Sequence, residues 1–532
     1  MAMAFSPLVL AVIAALITLA THRYLISKSR LPPSTRLPPG PPGKPLVGNL
    51  LDIPPVHSWL KFKEWSDVYG PLLRLNLAGR EHYVASTEKV ANDLLRERGN
   101  IYSSREQLPA AVRLLGDNLR PLFYPHDDTF RQSRKLMHRL CKESAANTYQ
   151  PTQSLESARL LYDLVRKPEE YDGWLMRYSS SLIFRIGFGK AMKDNHDPLL
   201  IQLFNELHRL ERVASPGAYL VDTFPVLMYL PDWLAPFKRE LKAWHVEERE
   251  IFLTLLNDVK SEMEQGKAPD CWEKTYLEHS GEYALSEERG AYVVGTLFEA
   301  GSGTTAAAMM SWILSMVHYP EEFKRLQGHI QEVIGDARLP VFDDIPNLPR
   351  VRAVVKETLR WRPVTAGGVP HLSEKDDVYN GMFIPAGTNV HANQWAIHRE
   401  PQLYPAADTF NPDRWLDPQY PTYREPLTQY PNLQNYSAFG FGRRLCPGMH
   451  IAERSLNLLV ARIAWACDIS KKIGSDGKEM EVPLYDYESG FNVQPKRFQF
   501  DLKARSEKRW RVVKEAYEWE MENDPLKSRR EW

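Results

Sequence analysis

Cysteine is scarce in this chain, with four among 532 residues. Cys141, Cys271, Cys446 and Cys467 stand in no CxxC or Cys/His spacing. That argues against a zinc site or a disulfide scaffold and suits a reducing, cytosol-facing body. An excess of charge is missing too: 67 Lys and Arg balance 67 Asp and Glu. No global field therefore draws a nucleic acid, and a charged partner must be met by a local patch. An apolar run long enough to span a bilayer occurs only at the start. Residues 2–21 carry no charged side chain, close to the length a bilayer core demands at about 1.5 Å per residue, and His22, Arg23, Lys28 and Arg30 follow. No charge precedes the run and no small-x-small site follows it, so a retained signal anchor fits better than a cleaved peptide. The positive-inside rule then puts the rest of the chain in the cytosol.

What remains is ordinary in composition, 43% hydrophobic and 25% charged, and long enough to enclose a large cofactor. Four segments are expected: a transmembrane anchor over 1–22, a basic and proline-rich hinge over 23–45, a main body over 46–504, and a charged extension over 505–532 to which the sequence assigns no function. Leu31–Pro45 has too much proline for helix or sheet and reads as a stiff spacer. The runs LLRLNLAG and YVAS predict short strands, and a capped helix follows from Thr87. Ser286 to His318 reads as a long helix with Ser286 as cap, Glu287 and Glu288 in the first turn, and Pro320 beyond its end. At its centre AGSGTT, residues 300–305, puts small residues where a core helix carries large ones. Close helix packing and an open groove both account for that. Ser215–Phe237 is apolar and broken by prolines; it reads as a channel roof touching a membrane or as a buried helix-loop-helix.

One stretch, FGFGRRLCPG over residues 439–448, reads as a loop that holds a cysteine against something electron-poor. Gly440, Gly442 and Gly448 leave little bulk, Arg443 and Arg444 supply positive charge, and an apolar helix beginning near Met449 would favour a thiolate at Cys446. Phe439, Gly442, Arg444, Cys446 and Gly448, in this order and spacing, resemble the haem-binding signature of the cytochrome P-450 monooxygenases. The resemblance spans about residues 31–503. It implies a mainly α fold, with a large helical lobe around a long central helix, a small β-rich lobe, and the N-terminal transmembrane helix of the microsomal type. It implies haem b with Cys446 as axial iron ligand.

Further motifs agree in family order. FRQSR resembles the Trp-Arg-x-x-Arg element, which implies that Arg134 holds a haem propionate. Phe130 stands where Trp is usual, so the indole donor is gone. His371 in VPHLS matches a propionate-contacting position, and Arg444 is implied in the same role. AGSGTT resembles the oxygen-binding groove, with Thr304 as the hydroxyl that manages protons. Gly303 replaces the usual acid, and Glu299, one turn earlier, is either the nearest substitute or a structural carboxylate paired elsewhere. Glu357 and Arg360, with Arg414 in FNPDRW, resemble the buried cluster that locks the cysteine loop. The implied partners are NADPH-cytochrome P-450 reductase, with cytochrome b5 as an optional second donor, O2 and a small apolar substrate. The implied location is the endoplasmic reticulum membrane, crossed once, with the catalytic body facing the cytosol. Lys135, Arg139 and Arg443 are the expected docking patch. The texture of FEAGSGTT and GGVPH is most like fungal enzymes that hydroxylate aromatic or polyketide intermediates of secondary metabolism. A reductase-independent isomerase or dehydratase of the same family, and a non-catalytic haem protein, stand as alternatives.

Overall fold

The computed structural model describes residues 31–192, 197–215, 217–423 and 433–529. The expected anchor lies outside these residues, and no helix among them is long and apolar enough to cross a membrane. The main helices are α1 (Ser58–Tyr69), α2 (Asp128–Cys141), α3 (Gln150–Arg166), α4 (Tyr171–Phe188), α5 (Pro198–Ala214), α6 (Pro236–Glu264), α7 (Glu287–His318), α8 (Pro320–Ile334), α9 (Pro349–Trp361), α10 (Met449–Ala466) and α11 (Glu507–Glu522).

α7 is the axis of the large lobe. The Ser286 hydroxyl accepts the Arg289 N–H at 3.2 Å, two glutamates suit the first turn, and the helix stops at Tyr319, before Pro320. Its 32 residues span about 48 Å. Two of its glycines are sites of close approach. A Cβ on Gly295 would lie 2.6 Å from Phe252 of α6, and one on Gly301 would lie 2.7 Å from Ile183 of α4. α10 packs beneath α7, so the residues just before Met449 are held under the middle of the lobe.

The small lobe holds a four-stranded sheet of β1 (Leu72–Leu77), β2 (Arg80–Ala85), β3 (His371–Leu372) and β6 (Asn389–Ala392), in the order β1-β2-β6-β3. A two-residue turn at Ala78 and Gly79, both at positive φ, closes the antiparallel β1/β2 hairpin. β2 runs parallel to β6, and β3 returns antiparallel with His371 opposite Val390. β4 (Asp377–Tyr379) and β5 (Met382–Ile384) form a second hairpin. β7 (Cys467–Lys471) pairs with β8 (Phe500–Ala504). The proline-rich stretch is laid along this lobe rather than standing free: the Arg36 N–H donates to Gly381 O at 3.0 Å, and the Arg74 N–H donates to Pro39 O at 2.8 Å. The extension is ordered as α11, stacked on α3 through Tyr162, which lies 4.0 Å from Tyr517 between ring centroids.

Candidate active site

The cysteine loop is built from two short turns, Ser437–Phe439 and Gly442–Arg444, joined through Gly440 at φ 89°. Gly442 has φ 58°, and a Cβ there would sit 2.1 Å from Leu95 O, so no other residue fits. Phe439 O accepts the Cys446 N–H at 2.9 Å and closes the loop. Gly448 faces open space, with nothing within 4 Å of where its Cβ would be. The thiol receives the amides of Gly448 and Met449 at the start of α10, with Arg134 nearby, and these draw its pKa down. Burial outweighs them and holds it above the ordinary thiol value. Coordination to a metal deprotonates such a thiol outright. The side chain opens on a hollow of about 590 Å3 shared with Arg134, His138, Lys142 and His450.

Beside the loop four donors converge. Arg134 Nη2 donates to Leu445 O at 2.9 Å. Arg444 Nε donates to Ser103 O at 2.7 Å, and its guanidinium lies 3.7 Å over the Phe130 ring, so the residue that replaces the usual indole supports an arginine by cation–π contact. His371 is buried; its Nδ1 meets Tyr102 O at 2.7 Å and must carry the proton, because a carbonyl only accepts. The fourth donor, Arg105, was missed by sequence reasoning. It is buried, donates to Val369 O at 2.8 Å, and leaves Nε without a partner. Burial, with Arg105 and Arg134 close by, pushes Arg444 down to about 8, and burial alone takes Arg105 to about 9. Among the described residues no carboxylate hydrogen-bonds to any of the four. Asp127 and Glu374 act on Arg444 only at a distance, and buried cations without a bonded counter-charge are costly. The two propionates of a haem seated against Cys446 are the anions this donor set fits.

Above, α7 is buried from Gly290 to Val317 except at Thr296, Ala300, Gly301, Thr304 and Thr305. Residues 296, 300 and 304 recur every four and so share one face. The small-residue patch therefore does both things the sequence allowed: Gly301 admits α4, while Gly303 leaves space, the nearest atom to its missing Cβ being Asn492 Nδ2 at 4.0 Å. Thr304 Oγ1 donates to Ala300 O at 2.9 Å, which leaves its lone pairs for a water or bound oxygen. The Val493 N–H donates to Val364 O at 2.7 Å, joining the turn after Phe491 to the chain that follows α9.

Glu299 is held in a buried ion pair. Its Oε2 accepts from Arg120 Nη1 at 2.6 Å, and the other end of that guanidinium pairs with Glu248, all three side chains being buried. Its assignment as a proton relay is corrected accordingly. Glu357 and Arg360 pair through two 2.8 Å hydrogen bonds. Arg414 Nε stands 3.4 Å from Glu357, and Arg360 also holds Ala407 O and Thr409 O. This buried knot fixes residues 405–415 beneath the loop. The expected docking patch is weaker than its charges suggest, because Arg139 pairs with Glu282 at 2.7 Å and Lys135 donates to the same residue's carbonyl at 3.0 Å.

Residues 38–500 match the model of the cytochrome P450 family. The chain is 36% identical over 485 residues to cytochrome P450 monooxygenase virE of Hypocrea virens, covering 91% of this chain and 88% of that one. It is 37% identical over 484 residues to cytochrome P450 monooxygenase fogE of Aspergillus ruber, covering 91% and 89%. A zebrafish cytochrome P450 solved with progesterone superposes with a TM-score of 0.68 at 24% identity, over 84% of this chain and 99% of that one. With Cys446 in its glycine-shaped loop, four anion-seeking donors beside it and a groove in the helix above, the chain belongs to the cytochrome P450 family of haem-thiolate oxidoreductases.

Proposed function

We propose that this chain inserts one atom of O2 into a small apolar substrate, using NADPH electrons passed on by a reductase, and hydroxylates an aromatic or polyketide intermediate of fungal secondary metabolism. The observation that carries the reading is the pairing of Cys446 below with the Thr304 groove above. Haem held through Cys446 supplies the dioxygen chemistry. The chain's residues do the rest. Arg105, Arg134, Arg444 and His371 would hold the cofactor by its carboxylates. The Thr304 hydroxyl, oriented by Ala300 O, holds a proton-bearing water at the groove without being consumed. The segments at Val364 and Phe491 wall the site and keep bulk water out. The relatives are named monooxygenases of fungi, which supports the reaction class and the kind of host. The endoplasmic reticulum location and single crossing rest on residues 1–30 of the sequence.

The test is Cys446→Ser in the full chain. The reduced carbon-monoxide complex is expected to lose its red-shifted Soret band, and reductase-coupled, NADPH-dependent product is expected to vanish. Survival of the band overturns the assignment. Turnover without NADPH turns the reading toward the isomerase or dehydratase.

A further inference from the structure

The space left by Gly303 is bordered by a polar pair that comes from outside α7. Asn492, in the turn after Phe491, is the nearest side chain to the missing Cβ, at 4.0 Å. Its Nδ2 donates to Glu211 Oε1, on α5, at 3.1 Å. Glu211 is half-buried, and its second oxygen has no hydrogen-bond partner among the described residues. Burial, the largest influence, raises its pKa, against the pull of His208 and Asn492. The charged groups that influence it besides are His208, Glu488 and Glu299. A half-buried carboxylate oxygen left without a partner is stabilised by a ligand that donates a hydrogen bond to it. Asn492 is bonded to the other oxygen, Oε1.

We propose that Glu211, braced by Asn492, is a specificity-determining acceptor that selects apolar substrates bearing a hydroxyl or N–H donor, the donor reaching it across the space above Gly303. Resting on the monooxygenase reading, this names the substrate class: a hydrophobic skeleton with one donor. A larger residue at position 303 would narrow the path, and glycine keeps it open.

The experiment uses the haem-loaded full chain and equilibrium binding of 2-naphthol against 2-methoxynaphthalene, which share a skeleton and differ in the donor. Dodecylammonium against dodecyltrimethylammonium is a second pair that asks whether the donor is a neutral hydroxyl or a charged N–H. Wild-type protein is expected to prefer the donor-bearing member of at least one pair on the order of tenfold. Glu211→Gln and Asn492→Ala are expected to bring that ratio toward one, while leaving the affinity for 2-methoxynaphthalene and the reduced carbon-monoxide spectrum as in wild type. Equal affinities within both pairs, or a preference that Glu211→Gln leaves intact, overturn the proposal while that spectrum persists. Absence of the haem-thiolate spectrum overturns the underlying reading instead.

Discussion

At the scale of single residues, Thr304 and Glu299 separate what spacing can say from what it cannot. Four-residue spacing put Glu299 on the same helix face as Gly303. Its partner, however, is Arg120, 179 positions away, and no local pattern announces a guanidinium from another loop. Arg105 was illegible for the same reason, since it reaches the site because Ser104 bridges to Leu372. Cys446, Gly442 and Arg444 were legible because a ten-residue loop encodes its own turns. Thr304→Ala is expected to retain haem and substrate while diverting NADPH electrons to hydrogen peroxide, lowering product per NADPH several-fold. Burial raises the Glu299 pKa against the pull of Arg120. Because Glu299 is held by Arg120, Glu299→Gln should leave that ratio near wild type, which purified, reductase-coupled enzyme can show. His398 gives a pH prediction. It is buried between Arg360 and Arg399, meets Ser437 of the cysteine loop at 3.1 Å, and is pushed down to about 3 by burial and those arginines. A lowered folded-state pKa means the unfolded chain binds the proton first. Its contribution is thus complete above about pH 6.5 and is lost as pH falls from there toward 3, by at most about 1.4 kcal/mol per pH unit. Urea midpoints between pH 7 and 5 should fall less steeply in His398→Asn.

At the scale of elements, α7 was legible from cap to final proline, because its signals are local and strong. The extension was not. Trp510, Val513 and Tyr517 are few among charges, and their value lies in meeting Tyr162 of α3, which only the folded lobe supplies. Beyond α11 the chain turns back and places Asp524 against Arg185 of α4 in a two-pronged pair at 2.8 and 2.7 Å, both side chains buried, while Arg185 Nε holds Glu156 at 2.7 Å. Removing one partner of a buried pair costs about 3–5 kcal/mol. Because Glu156 remains, Asp524→Ala is expected near about 3 kcal/mol, the lower end of that range. Ending the chain after Ala504 should cost more, as the stacked aromatics leave with the carboxylate. Urea unfolding followed by tryptophan fluorescence checks both, and equal midpoints for wild type and Asp524→Ala would show that the extension rests on the body without holding it.

At the scale of the whole molecule, the division into a helical lobe, a small sheet lobe and a cysteine loop between them followed from the order of the motifs. Which part of the folded body could touch a membrane depends on surface that a sequence shows only as composition. The proline-broken stretch Ser215–Phe237 allowed a membrane-touching roof or a buried helix-loop-helix. Within its described residues Tyr219, Val221 and Ala235 are buried, while six large apolar side chains face outward: Tyr229 is 89% and Trp233 73% exposed, with Leu220, Phe224, Val226 and Leu234 also exposed. So many large apolar groups in fifteen residues exceed what a solvated surface needs, and Trp and Tyr are the side chains that settle at a bilayer's polar boundary. The patch carries no cationic cluster, so its attachment should depend on apolar burial and change little with salt. The chain shortened to residues 31–532 is accordingly expected to leave the tightly held membrane fraction and still bind neutral phosphatidylcholine vesicles. Full burial of one large apolar side chain is worth about 1.5–3 kcal/mol. Partial immersion of two aromatics then predicts that Tyr229→Ser with Trp233→Ser weakens vesicle binding on the order of tenfold to a hundredfold in a flotation assay, at low and high salt alike. Unchanged flotation would place the membrane-facing surface elsewhere on the molecule, and retention of the shortened chain through alkaline carbonate would reveal a second embedded element.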